Sequence, residues 1–381
     1  MKRIKSTRII SDGRIISGFV YLENGKIVAV TDENLPFDEE YDAGDDYVSA
    51  GFIDIHTHGG GGFPFEGEVD DIVGGVNFHL THGTTSICPT ISAAPIEDMI
   101  RSLCNIREAM KDEKVLANII GAHLEGPYLS LAQTGAQAGA CITLPVKKDY
   151  EMIANEYKGT LARWTYAPEN DEGGEFARYM KAMGVVTSAG HTNAKYSDMK
   201  TALGEGCRLV THLYSCTSTV TRDHGFRSLG VIESTFLEDG ISAEIIADGK
   251  HLPPELIRMI YKIKGADGII AVTDSLSLAG TDVKCGRMSL TDFIIEDGVC
   301  KLLDRSAFAG SIATADILLR VLTAEANIPI TEAIKLLTVN PARVMGLTDK
   351  GDISSGKDAD IVIFDDDVRV KAVFVGGKQR I

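Results

Sequence analysis

Between residues 51 and 273 the sequence keeps returning to one pattern: a short apolar or β-branched run, a loop, then a stretch of helical period. The runs fall at 51–58, 85–90, 117–123, 163–167, 185–189, 207–212, 242–247 and 268–273. Helical patterning fills most of the gaps, as in 69–81, 96–111, 193–203 and 254–262. Strands joined through helices pair in parallel, and eight such units are the number that closes a (β/α)8 barrel of TIM type. That architecture is the expectation. No stretch of residues recurs, so the repetition is architectural only.

The flanks read differently. Residues 1–49 carry short strand patterns at 6–10, 15–23 and 26–31, with the hairpin signal Asn24-Gly25 between the last two. After helical patterns at 313–326 and 331–337, and a short one opened by Asn340-Pro341, β character returns at 360–364 and 368–375, before a Gly376-Gly377 turn. Chain ends often lie close together, so the two β segments are expected to form one small composite β-sandwich domain. The expected division is 1–49 and 349–381 for that domain and 50–348 for the barrel.

Composition limits the partners. With 44% hydrophobic and 24% charged residues, the 381-residue chain can bury a large core. A net charge of −16 repels phosphate backbones and anionic lipid, which argues against nucleic-acid and membrane partners and leaves a small-molecule substrate. Residues 1–10 lack the continuous apolar run of a signal peptide, and no stretch approaches a membrane span. Seven cysteines without a Cys-x-x-Cys pair fit reduced thiols, hence a cytoplasmic setting.

Candidate chemistry sits at the strand ends, the face of such a barrel that binds ligands. His56 and His58 flank Thr57 where the first strand runs into a glycine-rich loop; residues two apart on a strand share a face, so both imidazoles can reach one ion. Taken alone the pair is equally an ordinary pair of histidines near a turn. Glu125 ends the third strand in His123-Leu124-Glu125-Gly126-Pro127, His191 the fifth and His212 the sixth. Asp248-Gly249-Lys250-His251 follows the seventh, and Asp274 follows the eighth, where the ring returns to His56 and His58. An Asp after a strand is often a helix cap, and a lone histidine is often a hydrogen-bonded core residue. Together, His56, His58, Glu125, His191, His212 and Asp274 suit zinc, or iron, cobalt or manganese, better than calcium or magnesium. Six ligands exceed one tetrahedral ion, so one or two divalent ions are expected, a pair lying about 4 Å apart across Glu125. Asp274 is the expected general acid/base.

The run Gly51-Phe52-Ile53-Asp54-Ile55-His56-Thr57-His58, with Asn340-Pro341-Ala342 and Gly356-Lys357-Asp358-Ala359-Asp360, resembles the amidohydrolase superfamily. His123-Leu124-Glu125-Gly126-Pro127, Gly190-His191-Thr192-Asn193-Ala194, Thr211-His212-Leu213-Tyr214 and Ile246-Ala247-Asp248-Gly249-Lys250-His251 resemble its N-acetylglucosamine-6-phosphate deacetylase family, in collinear order over nearly the whole chain. The resemblance implies a metal-dependent hydrolase of an N-acetylated amino sugar phosphate. It implies that Glu125, His191 and His212 hold the principal metal, that His56 and His58 serve a second, that Asp274 shuttles the proton and that His251 touches substrate. A homodimer whose neighbouring subunit helps bind phosphate is also implied.

Two departures concern substrate reading. Where the family carries Gly-Ala-His, this chain has Gly135-Ala136-Gln137; where it carries Asn-Ala-Met and then His-Arg-Glu, this chain has Ser215-Cys216-Thr217 and Arg222-Asp223-His224. Gln137, Ser215 and Cys216 are therefore candidate substrate contacts, and Arg222 and Arg227 candidates for the phosphate. The same chemistry on another N-acetylhexosamine phosphate, an N-acyl amino acid or a cyclic amide stays open, as does a barrel without catalysis.

Overall fold

The computed structural model describes residues 1–381, apart from the side chain of Asp223. The barrel strands follow in the expected order: Phe52–Thr57, Thr84–Ser92, Asn118–Ile119 continuing as Ala122–Glu125, Leu161–Tyr166, Val186–Ala189, Leu209–Val210, Ser242–Ile246 and Ile269–Val272. Neighbours along this order pair in parallel. Just beyond the eighth strand, Asp274 N donates to His56 O at 2.9 Å, His58 N donates to Ser275 O at 2.8 Å, and Thr273 Oγ1 donates to Asp54 Oδ2 at 2.6 Å, which closes the ring.

The sixth strand is shorter than its apolar run. His212 turns into the left-handed region (φ 27°) and its N–H leaves the ladder for Glu244 Oε1 at 3.1 Å, so pairing stops at Val210. Helices cover the outside by burying one face each. Met99, Leu103 and Ile106 of Ile96–Ala109 recur at helical spacing and are wholly buried, each contributing about 1.5–3 kcal/mol. The late helical pattern becomes a helix over Ala315–Arg320 that widens to a π-turn over Val321–Glu325, followed by Ile330–Leu337 and Val339–Val344.

Both chain ends build one eight-stranded sheet. Tyr47–Ala50 pairs antiparallel with Ile361–Phe364, from Ala50 opposite Ile361 to Tyr47 opposite Phe364. Ile4, Val20, Ile27, Val48, Ile363 and Phe374 fill its own core, separate from the barrel's. Glu39–Asp42 and Tyr47–Ala50 are strands that the sequence patterning does not mark.

Residues 275–312 hold an element absent from the sequence reading. Cys285–Met288, Thr291–Glu296, Val299–Leu302 and Phe308–Gly310 form a four-stranded antiparallel sheet around Leu276, Phe293 and Cys300. Glu66 ties it to the barrel mouth: Oε1 accepts from Ser92 N at 2.8 Å and Oε2 from Ser289 N at 3.0 Å. A smaller hairpin pairs Thr221–Asp223 with Phe226–Ser228. Among the described residues no helix is long and apolar enough to cross a membrane.

Candidate metal centre and active site

Four imidazoles and two carboxylates meet where the barrel strands end. Glu125 Oε1 lies 3.5 Å from His56 Nε2, 3.2 Å from His191 Nε2 and 2.9 Å from His212 Nε2; Glu125 Oε2 lies 3.3 Å from His58 Nε2. Asp274 Oδ1 lies 3.4 Å from His56 Nε2 and 3.3 Å from His58 Nε2. All six residues are buried. Two donor sets share Glu125: one with His56 and His58, the other with His191 and His212.

The orientation of each ring fits a metal. Nδ1 faces Glu244 Oε1 (2.9 Å) in His56, Ser92 Oγ (3.2 Å) in His58, the Gln133 carbonyl (2.9 Å) in His191 and the Ser215 carbonyl (3.1 Å) in His212. With Nδ1–H donating outward, Nε2 turns its lone pair toward the carboxylates. His56 Nε2 is buried without a hydrogen-bond partner. Nitrogen and oxygen donors around a tetrahedral ion at about 2.0–2.2 Å stand roughly 3.4 Å apart, the spacing seen here.

Three of these residues, His191 (φ 47°), His212 (φ 27°) and Asp274 (φ 46°), occupy the left-handed region although none is glycine. Such strain persists where packing over-determines it and concentrates at functional sites. Gly135 permits a close approach: a Cβ there would come within 2.4 Å of Cys216 Sγ and 3.4 Å of the His191 ring.

Charge balances within the cluster. Burial disfavours charge on His56, but Glu125, Asp274 and Glu244 outweigh it and raise that ring to about 10; Asp274 and Glu125 likewise raise His58 to about 9 against burial. Burial also opposes ionisation of Glu125 and Asp274, yet the imidazoles hold both below the usual carboxylate range. Paired carboxylates this deep demand cations, protons on the rings or a metal that displaces them.

The cluster opens into a cavity of about 210 Å³ whose wall includes His58, His191, Ser215, Cys216, His251 and Asp274. His251 Nδ1 is held on Asp248 Oδ2 at 2.8 Å, leaving the other ring nitrogen for a ligand. Met288, Phe308 and Ala309 of the four-stranded insertion complete the wall, and Phe308 meets the His251 ring edge-on at 5.1 Å.

The remaining candidates take different places around the cluster. Gln137 borders the cavity and braces Glu125: Nε2 donates to Glu125 Oε2 at 2.7 Å and Oε1 accepts from Ala93 N at 2.8 Å. Arg222 and Arg227 sit opposite one another on the small exposed hairpin, and among the described residues no Lys or Arg lines the cavity. Their neighbour Asp223 has a side chain outside the described residues. Glu244 and Arg163, both fully buried beneath the cluster, were missed by sequence reasoning; the signal was a single acid within the apolar run 242–247.

The model of the Amidohydrolase family matches residues 47–380. The chain is 31% identical over 379 residues to the N-acetylglucosamine-6-phosphate deacetylase of Bacillus subtilis (strain 168), spanning 96% of this chain and 94% of that one. It is 30% identical over 337 residues to the N-acetylgalactosamine-6-phosphate deacetylase of Shewanella sp. (strain ANA-3), spanning 86% and 82%. The crystal structure of N-acetylglucosamine-6-phosphate deacetylase from Pasteurella multocida superposes with a TM-score of 0.93 at 26% identity, over 100% of this chain and 99% of that one. A mutant of the Mycobacterium smegmatis N-acetyl-D-glucosamine-6-phosphate deacetylase, in complex with N-acetyl-D-glucosamine-6-phosphate, superposes with 0.91 at 27%, over 99% and 98%. With a family match that spans the barrel and relatives that align almost end to end, the chain belongs to the amidohydrolase family, in its N-acetylglucosamine-6-phosphate deacetylase branch.

Proposed function

We propose that this hydrolase removes the acetyl group from an N-acetylated amino sugar phosphate, N-acetylglucosamine 6-phosphate first, releasing glucosamine 6-phosphate and acetate. The observation that carries the reading is the set of four rings whose Nε2 atoms converge on Glu125 and Asp274 while every Nδ1 is engaged elsewhere. His191, His212 and Glu125 would hold one divalent ion; His56, His58 and Glu125, with Asp274, would hold a second. Zinc is the first choice, with iron, cobalt and manganese as alternatives.

A bound ion supplies Lewis acidity, polarising the amide carbonyl and making water nucleophilic at neutral pH. Asp274, at the cavity edge of the cluster, takes the proton from the attacking water and passes it to the nitrogen as the C–N bond breaks, because an unprotonated amide nitrogen is too basic to leave. His251, oriented by Asp248, polarises the carbonyl oxygen.

For the phosphate, no Lys or Arg among the described residues lines the cavity of one chain, while the hairpin carries Arg222 and Arg227 into solvent. This supports a homodimer in which the hairpin of one copy completes the site of the other. Mixed dimers test it: an Asp274→Asn chain combined with an Arg222→Ala, Arg227→Ala chain regains activity only if the arginines act across the interface. The seven unpaired cysteines support a reducing, cytoplasmic setting. The domain division proposed is 1–49 with 349–381, and 50–348.

A second reading, N-acetylgalactosamine 6-phosphate, is favoured by the Shewanella relative and by Ser215 and Cys216 in the cavity wall. Acetate release from both sugar phosphates, their unphosphorylated forms and a panel of N-acyl amino acids decides. Activity confined to the amino acid panel would remove the sugar phosphate reading.

A further inference from the structure

Strand Ser242–Ile246 contains one charged residue, Glu244, and strand Leu161–Tyr166 contains one, Arg163; both are 0% exposed inside the barrel. An arginine stays cationic and a buried unpaired charge is costly, so the two neutralise each other, Arg163 Nη1 lying 2.6 Å from Glu244 Oε2. Arg163 spends its other donors on the barrel interior: Ser188 Oγ at 3.1 Å, the Ile55 carbonyl at 3.0 Å and Thr211 Oγ1 at 2.9 Å. If filling space were the pair's whole role, apolar side chains would serve as well. The second Glu244 oxygen points elsewhere. Oε1 accepts from His56 Nδ1 at 2.9 Å and from the His212 backbone N–H at 3.1 Å, two residues of the candidate metal centre.

Among the four clustered rings, His56 alone has a carboxylate as its Nδ1 partner; the others meet a hydroxyl or a backbone carbonyl. A carboxylate there fixes the tautomer and makes the opposite nitrogen a stronger donor. We propose that Glu244, anchored by Arg163, is a positioning residue for His56, locking the ring so that Nε2 presents its lone pair to the ion shared with His58 and Glu125. The assignment rests on the metal reading above. Glu244 touches neither substrate nor ion; it acts through His56, and through the His212 main chain on the neighbouring strand end.

The test uses the full chain, stripped with a chelator and titrated with Co²⁺ alone, followed by visible absorption and by metal content after gel filtration. Glu244→Gln is expected to weaken Co²⁺ binding about 10–100-fold while the circular dichroism spectrum is retained. Nitrogen-15 spectra of the imidazoles should show His56 no longer held as the Nδ1–H tautomer, and Glu244→Asp should recover part of the affinity. If Glu244→Gln strands Arg163 and fails to fold, the double variant Arg163→Met, Glu244→Gln removes the stranded cation and is expected to bind Co²⁺ as weakly. Wild-type affinity in whichever variant folds, with the wild-type tautomer, overturns the assignment. His56→Asn separates the two claims: wild-type Co²⁺ stoichiometry and affinity there remove the ion shared by His56, His58 and Glu125 on which the assignment rests, whereas weakened binding beside an unaffected Glu244→Gln removes only the role of Glu244.

Discussion

Asp274 and Gln137 border the same cavity with different parts to play. Asp274 Oδ1 stands 3.3–3.4 Å from two ring nitrogens and faces the cavity, so Asp274→Asn is expected to lower turnover at least about a hundredfold while the ion of Glu125, His191 and His212, measured by elemental analysis, stays bound. Gln137 braces Glu125 through its Nε2. Gln137→Ala is therefore expected to weaken metal binding about tenfold and to lower kcat, with little change in KM. A raised KM beside unchanged metal affinity would return Gln137 to substrate reading. The glutamine in place of the family's histidine is legible in the sequence, but its partners Ala93 and Glu125 lie 44 and 12 residues away and belong to other strand ends.

At the scale of elements, the four-stranded insertion gives the barrel mouth one wall. Phe293, wholly buried in the insertion's own small core, holds Met288 and Ala309 against the cavity. Phe293→Ala removes about 3–5 kcal/mol of packing from an element too small to absorb it. Proteolysis within 285–310 should accelerate and KM should rise, with metal content unchanged; intact proteolytic resistance would mean that the wall stands on other contacts. The sequence held a signal for this element, Asp297-Gly298 between strand-like runs. A barrel pattern explains the neighbouring segments and leaves an insertion of this length looking like a loop.

Over the whole molecule, Asp360 links the sheet domain to the barrel, with Lys350 as its counter-ion. The Lys350 ammonium lies 2.9 Å from Asp358 and 2.6 Å from Asp360, and Asp360 also accepts from Asn118, on a barrel strand, at 3.0 Å. Lys350→Met is expected to cost about 2 kcal/mol by urea denaturation. Burial opposes the Lys350 charge, but Asp360 and Asp358 raise its pKa; burial opposes the Asp358 charge, but Lys26 and Lys350 lower its pKa. A raised lysine contributes fully below its unfolded value and loses that contribution only as pH climbs through the folded one. A lowered aspartate contributes fully above its unfolded value and loses that contribution as pH falls through the folded one. The difference between wild type and variant should thus stay flat from about pH 5 to 9 and shrink below about pH 4. Metal removal acts at the same scale: chelation should lower Tm, and Zn²⁺ should restore it by binding the folded state alone.

What the sequence determined by itself was local and periodic. The alternation of apolar runs with helical stretches specified a closed parallel barrel, and ligand-type residues at the ends of those runs had to share its mouth, because all parallel strands end on one face. The tertiary structure alone decided which partners those residues take. Glu244 reaches His56 across 188 positions, Arg163 reaches Ile55 across 108, and Gln137 meets Glu125 at the cavity wall. A side chain's role depends on the groups that desolvate and hydrogen-bond it, and in a barrel those groups come from distant strands that only folding brings together.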